Sequence, residues 1–163
     1  MKKLKYVAIL LLLAVATAGC SSFDVNNGGC KLSLKGTEWK LIGSVNALGR
    51  LRVFEPVDCD WCFTLSFDVG IVPNCNEYCN EDSLNSFTGW SASNLLRACY
   101  KADYKTGKIE ISHFGGTRAG EIGDGRLYSE ILRLEVHSFS LRKDQLRLYY
   151  DRRNYLLFKK LNP

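Results

Sequence analysis

Phe63-Thr64-Leu65-Ser66-Phe67-Asp68-Val69 decides the fold, because polar and apolar residues alternate along it without a break after Thr64. A period of two with Thr and aromatic content predicts a β-strand with one wet face. Leu65, Phe67 and Val69 then point into a core while Thr64, Ser66 and Asp68 point out. Extended backwards, the same parity puts Cys62 on the outer face. The stretch also bears on chemistry. Cys59-Asp60-Trp61-Cys62 has the spacing of a dithiol redox motif, which usually draws a low thiol pKa from a helix N-terminus. A strand after Cys62 withholds that helix.

Working outward, Glu38-Trp39-Lys40-Leu41 alternates with Trp39 and Leu41 inward. From Cys99 to Lys105 the pattern places Tyr100, Ala102 and Tyr104 inward and Cys99 outward. Thr106-Gly107 turns the chain into a partner strand from Lys108 to Phe114, with Ile109 and Ile111 on one face. That hairpin would let Cys62 and Cys99 meet on the outer face of neighbouring strands. Residues 70–86 read as a long cross-linked loop, whose ordering would be costly without a tie. One helix follows, with Asp124 as N-cap and Leu127, Tyr128, Ile131, Leu132 and Leu134 as its apolar face. Strands near 136–141, 145–150 and 154–160 close the chain, with turns at Lys143-Asp144 and Asp151-Arg152-Arg153-Asn154. The expected fold is mostly β (α+β): one curved antiparallel sheet packed around one helix.

The N-terminus reads differently. Lys2, Lys3 and Lys5 precede an uncharged apolar run from Tyr6 to Ala18, too short to span a bilayer but suited to an export signal. Thr17-Ala18-Gly19-Cys20 resembles the lipobox of bacterial lipoproteins, although Thr17 stands where Leu is usual. That resemblance makes residues 1–19 a cleaved signal and Cys20 the lipidation site. Residues 20–35 then form the lipidated cysteine and a flexible tether, and 36–163 the folded domain. Ser21, in place of an Asp retention signal, points to the outer membrane.

Removing the signal takes away three lysines and no acids, which leaves 19 basic residues against 17 acidic ones. A mature charge near +2 disfavours nucleic acid as a partner. Six cysteines remain as disulfide candidates: Cys30, Cys59, Cys62, Cys75, Cys79 and Cys99. Cys59, Cys62, Cys75 and Cys79 also have the outline of a four-thiolate zinc site, but an oxidising compartment favours disulfides. The glycine-dense run before the helix lacks both phosphate-binding fingerprints, so its glycines serve turns. His113 falls on the Ile109/Ile111 face near a strand end, and His137 lies two residues after Glu135. Neither brings a third metal ligand. No nucleophile-elbow or zinc-protease motif occurs.

Gly36-Thr37-Glu38-Trp39-Lys40-Leu41 resembles the opening strand of the META/HslJ-like family of bacterial lipoproteins and exported proteins. Thr64-Leu65-Ser66-Phe67 resembles the family's next strand, and Asn94 with Tyr100 and Tyr104 its Asn followed by a Tyr-bearing strand. Thr117 before the helix also fits, as does Leu146-Arg147-Leu148-Tyr149-Tyr150 with Leu156-Leu157-Phe158 as the closing hairpin. Ser93 and Ala119 stand where the family often has cysteines, and the additional cysteines resemble a Bacteroides-like subgroup. The resemblance implies a β-rich fold around one helix and an envelope role linked to stress or antibiotic tolerance, with no established active site. The expected function is therefore a non-enzymatic binding or structural lipoprotein that contacts the membrane through its anchor and another envelope protein through its domain. No catalytic residue, metal or cofactor is expected. The alternative is a thiol-redox or zinc-binding lipoprotein centred on Cys59 and Cys62.

Overall fold

The computed structural model describes residues 32–56, 58–68 and 85–161. Cys20, Cys30, Cys75 and Cys79 lie outside them, as do the signal, most of the tether and nearly all of the loop expected at 70–86. The chain divides into two units, Met1–Lys31 and Leu32–Pro163, and the described residues all belong to the second.

Nine strands form one antiparallel sheet: β1 (Thr37–Val45), β2 (Leu51–Arg52), β3 (Thr64–Phe67), β4 (Asn85–Trp90), β5 (Leu95–Asp103), β6 (Lys108–Gly116), β7 (Ser138–Leu141), β8 (Gln145–Tyr149) and β9 (Tyr155–Lys160). Because β9 also pairs with β1, from Trp39↔Lys160 to Val45↔Tyr155, the sheet closes into an eight-stranded barrel. The short β2 lies outside that ring and continues along β1 where β3 ends, at Ser44↔Arg52 and Val45↔Leu51. The curved sheet expected from the alternation is thus a closed one. Trp39, Leu65, Phe87, Tyr100, Leu146 and Phe158 are among the side chains that fill it, all fully buried.

The central strand is shorter than its alternation suggests. It runs only from Thr64 to Phe67 and is bounded by two residues with positive φ, Phe63 at 53° and Asp68 at 50°. Asp tolerates that region and is held there by Ser86 N, which donates to its Oδ1 at 2.9 Å, and by the Tyr100 hydroxyl, which donates to Oδ2 at 2.8 Å. An aromatic residue tolerates it less well, so packing must hold Phe63 in place. Its ring meets Phe54 at 5.8 Å and Tyr128 at 5.3 Å, both edge to face. Its N–H donates to Ser91 O at 3.2 Å and its carbonyl accepts from Leu41 N at 2.9 Å. The kink resets the parity, so Cys62 turns inward and is 1% exposed instead of lying on the outer face.

Strand β4 occupies 85–90, so Asn85 and Ser86 belong to the sheet and not to the expected loop. Its alternation is masked because Gly89 takes an inward position opposite Leu65. A Cβ there would sit 2.2 Å from Thr64 O. Close approach of two backbones requires glycine at that point.

The helix α1 spans Gly125–Glu130 and continues as a π-helical turn at Ile131–Glu135. Tyr128, Ile131 and Leu132 are buried as expected, but Leu134 is 71% exposed. The π turn, closed by Val136 N donating to Ile131 O at 3.2 Å, ends the 3.6-residue period that would have turned Leu134 inward. Asp124 holds the N-cap position without capping. Its φ and ψ of −87° and 10° lie outside the extended conformation that aims a cap side chain at the first turn. Its carboxylate instead accepts from Arg52 Nη2 at 2.5 Å and from Glu55 N at 3.1 Å, which ties loop 53–56 to the helix start.

Replacing Phe63 by Ala should remove about 3–5 kcal/mol of stability, since it empties the space between Phe54 and Tyr128. Urea denaturation would show the loss as a lower midpoint at unchanged slope.

Candidate functional site

The ring of strands alternates in direction, so its connections fall at two ends. The chain comes in at Leu32, at the end that carries the turns 104–107 and 142–144. The other end carries the connections 46–63, 91–94 and 150–154, the cysteine loop and the start of the long connection 117–137, which runs back to the beginning of β6.

That loop, residues 58–63, is organised from β1. Alternation that points Trp39 and Leu41 into the barrel points Lys40 out of it. The Lys40 ammonium donates to three carbonyls of the loop, Cys59 O at 2.5 Å, Cys62 O at 2.6 Å and Asp60 O at 3.2 Å. Three N–H donors thus meet three acceptors of one tight turn. Partial burial lowers the Lys40 pKa. The carboxylate of Asp60 opposes that shift and the charge of Lys159 adds to it.

Cys59 and Cys62 are joined by a disulfide inside this turn. Its two sulfurs differ. Cys62 is buried, and its Sγ lies 3.4 Å from Ala92 O. Cys59 is only partly buried, and its Sγ accepts from Cys62 N at 3.2 Å. Between them Trp61 is 53% exposed and meets Trp90, 38% exposed, edge to face at 5.3 Å.

The expected pairing of Cys62 with Cys99 is therefore wrong: Cys62 bonds its near neighbour because the Phe63 kink carries it away from the outer face. Cys99 lies between Ala98 and Tyr100, both core residues, so its side chain keeps the opposite parity, although it too is covered. It is disulfide-bonded, with its partner outside the described residues. In the oxidised pair neither Cys59 nor Cys62 is a thiolate, so as it stands the turn does not offer the two zinc ligands that its spacing suggests.

A second constellation ties the same end together. Asn94, almost fully buried, accepts at Oδ1 from Thr117 Oγ1 at 3.0 Å and from Ala119 N at 2.6 Å. Its Nδ2 donates to Ala119 O and to Glu121 Oε1, each at 2.9 Å. Ser91 Oγ donates to the same Glu121 oxygen at 2.6 Å. Asn94 and Thr117, quoted above for a family resemblance, thus meet in space as a clamp between the β4–β5 turn and the segment leading to the helix. Nothing local in the sequence marks Ser91 or Glu121, because the two lie some 30 residues apart and meet only in the folded chain.

The histidines stand apart from both groups. His113 has φ 51° at the β5–β6 register shift, where one extra residue on β6 turns it outward and lets Phe114 pack on Phe87. It is exposed and not on the Ile109 face. His137 lies 3.0 Å through Nδ1 from the backbone carbonyl of Glu135, not from its carboxylate.

No family model matches the chain, and no curated protein does. The fold has a counterpart among solved structures: an NMR structure of a protein from Burkholderia xenovorans is similar at a TM-score of 0.56 over 85% of this chain and 97% of that one. The two are 19% identical, so the likeness is one of fold.

Asn94→Ala would remove a buried amide's bonds to both the N–H and the carbonyl of Ala119 and leave the half-buried Glu121 carboxylate to Ser91 alone, at a cost of about 2 kcal/mol or more. Chemical denaturation should show it, with Ser93→Ala as a neutral control. Peptide mapping without reductant should recover Cys59 and Cys62 in one cross-linked fragment and find no alkylated Cys99.

Proposed function

We propose that this protein is an exported, lipid-anchored envelope lipoprotein that works by binding and not by catalysis, and that the end of its barrel opposite Leu32 receives another envelope protein. One observation carries the reading. Of the nine large hydrophobic side chains exposed among the described residues, Leu32 and Leu161 lie at the end where the chain comes in. Leu48, Leu51, Val53, Trp61, Trp90 and Ile122 belong to the opposite end, and Leu134 lies where the long connection runs back toward the start of β6. Scattered apolar side chains need no explanation on a protein surface, but segregation to one end is a feature of contact surfaces.

The chemistry of that end supports the same reading. Trp61 and Trp90 are large and amphipathic, and such side chains dominate binding energy where they are held rigid. The Cys59–Cys62 bond and the Lys40 contacts hold the turn beneath Trp61, and the Asn94 clamp holds the turn after Trp90. The META/HslJ-like resemblance agrees with an envelope role and extends it to stress or antibiotic tolerance.

Two measurements test the proposal. Metabolic labelling with an alkyne-bearing fatty acid should mark the protein, and Cys20→Ala should abolish both the label and its sedimentation with outer membranes. Photocrosslinking residues placed at Leu48 and at Leu161 should capture an envelope protein from Leu48 alone. An unlabelled protein found free of membranes would remove the anchor from the proposal. Equal capture from both ends would remove the binding surface.

A further inference from the structure

The Cys59–Cys62 pair has more asymmetry than a staple needs. A staple stabilises by closing a loop, and a loop of so few residues gains little from closure compared with a long one. What distinguishes this pair is what lies around each sulfur. Cys59 is the less buried residue of the two, and its Sγ already accepts a backbone N–H, from Cys62 at 3.2 Å. Cys62 Sγ is buried 3.4 Å from the Ala92 carbonyl, which a disulfide sulfur cannot use as an acceptor but a thiol can. Lys40 sets a cation on the carbonyls of both cysteines.

We propose that the Cys59–Cys62 disulfide is a thiol–disulfide exchange site, opened through Cys59 by a dithiol reductant protein. The reductant's thiolate bonds to Cys59 Sγ as the Cys59–Cys62 bond breaks, and the electron pair leaves on Cys62 Sγ. That thiolate takes a proton from solvent, and the resulting Cys62 thiol donates a hydrogen bond to Ala92 O. The second thiol of the reductant, deprotonated, then attacks its own partner sulfur in the mixed disulfide. Cys59 departs as a thiolate, held by the Cys62 N–H and by the nearby Lys40 charge. Two electrons have entered this protein, and the reductant leaves as a disulfide. The turn assists each step: a stabilised thiolate is the better leaving group, and exchange depends on which sulfur can be reached. A helix dipole, missing as the sequence implied, is replaced here by an ammonium.

This inference does not depend on the lipid anchor. A failed Cys20 experiment leaves it standing, and a failed exchange leaves the lipoprotein reading standing.

The test uses the full processed chain in detergent and, as probe, reduced thioredoxin whose buried cysteine is replaced by serine so that the mixed disulfide persists. Peptide mapping should find the adduct on Cys59. Adducts on Cys62 or at the Cys99 disulfide, or reduction of the turn only after denaturation, would overturn the proposal. Lys40 is a positioning residue in this scheme, and its part is read separately. In the reduced protein, Lys40→Met should move the pH midpoint of Cys59 alkylation up by about one unit, with Lys40→Arg restoring it. Identical midpoints in folded wild type and Lys40→Met would remove Lys40 from the mechanism.

Discussion

The pairing of β9 with β1 is the constraint on which the rest depends. An open sheet of this length would leave two edges with unpaired backbone groups and would have no single inside. Closure removes the edges and turns one face of every strand toward a common core. β1 carries most of the load, since it meets β9 along one edge and β3 and then β2 along the other. Its bulge between Leu41 and Gly43 allows this, and so does the missing side chain at Gly43, where a Cβ would sit 2.3 Å from Arg52 O. The strand that binds the barrel together is therefore the one that brings β2 and, through Lys40, the cysteine turn into place.

The ring is weakest between β6 and β7, which share one paired position, Lys108↔Ser138. The connection between them is also the longest among the described residues, and it holds the helix. Tyr128, at its buried centre, touches Phe54, Phe63 and Phe158, which belong to three other parts of the chain. Asp124 binds the helix start to loop 53–56, and Asn94 binds the preceding segment to the β4–β5 turn. Hydrogen bonds to side chains thus do at this end what ladder bonds do elsewhere, and they position the two exposed tryptophans as a by-product.

Periodicity was enough to identify the barrel as a β protein with one helix. Strand existence, the hairpin at Gly107 and the turns at 143–144 and 151–154 follow from residues close in sequence, where alternation and turn chemistry act. The errors share one cause. Phe63 is held at positive φ, against its own preference, by rings from elsewhere in the chain, His113 takes positive φ at the bulge set by the β5–β6 register, and each kink reverses the facing of what adjoins it. The alternation therefore placed Cys62 outside and His113 inside, and both assignments reversed. Leu134 left the core for a related reason, a π turn that no local pattern announces.

Sequence alone determined which residues could build a core and which cysteines stand close enough to interact: the alternating strands, the helix around Tyr128 and the close spacing of Cys59 and Cys62. Tertiary structure alone decided that the sheet closes, that Cys62 pairs with Cys59 and not with Cys99, that Lys40 lies on their carbonyls and that Asn94 meets Glu121. The division has a physical reason. Strand and turn preferences are properties of neighbouring residues, whereas barrel register, buried hydrogen bonds and forced backbone angles are set by partners tens of residues away and exist only once the chain has closed.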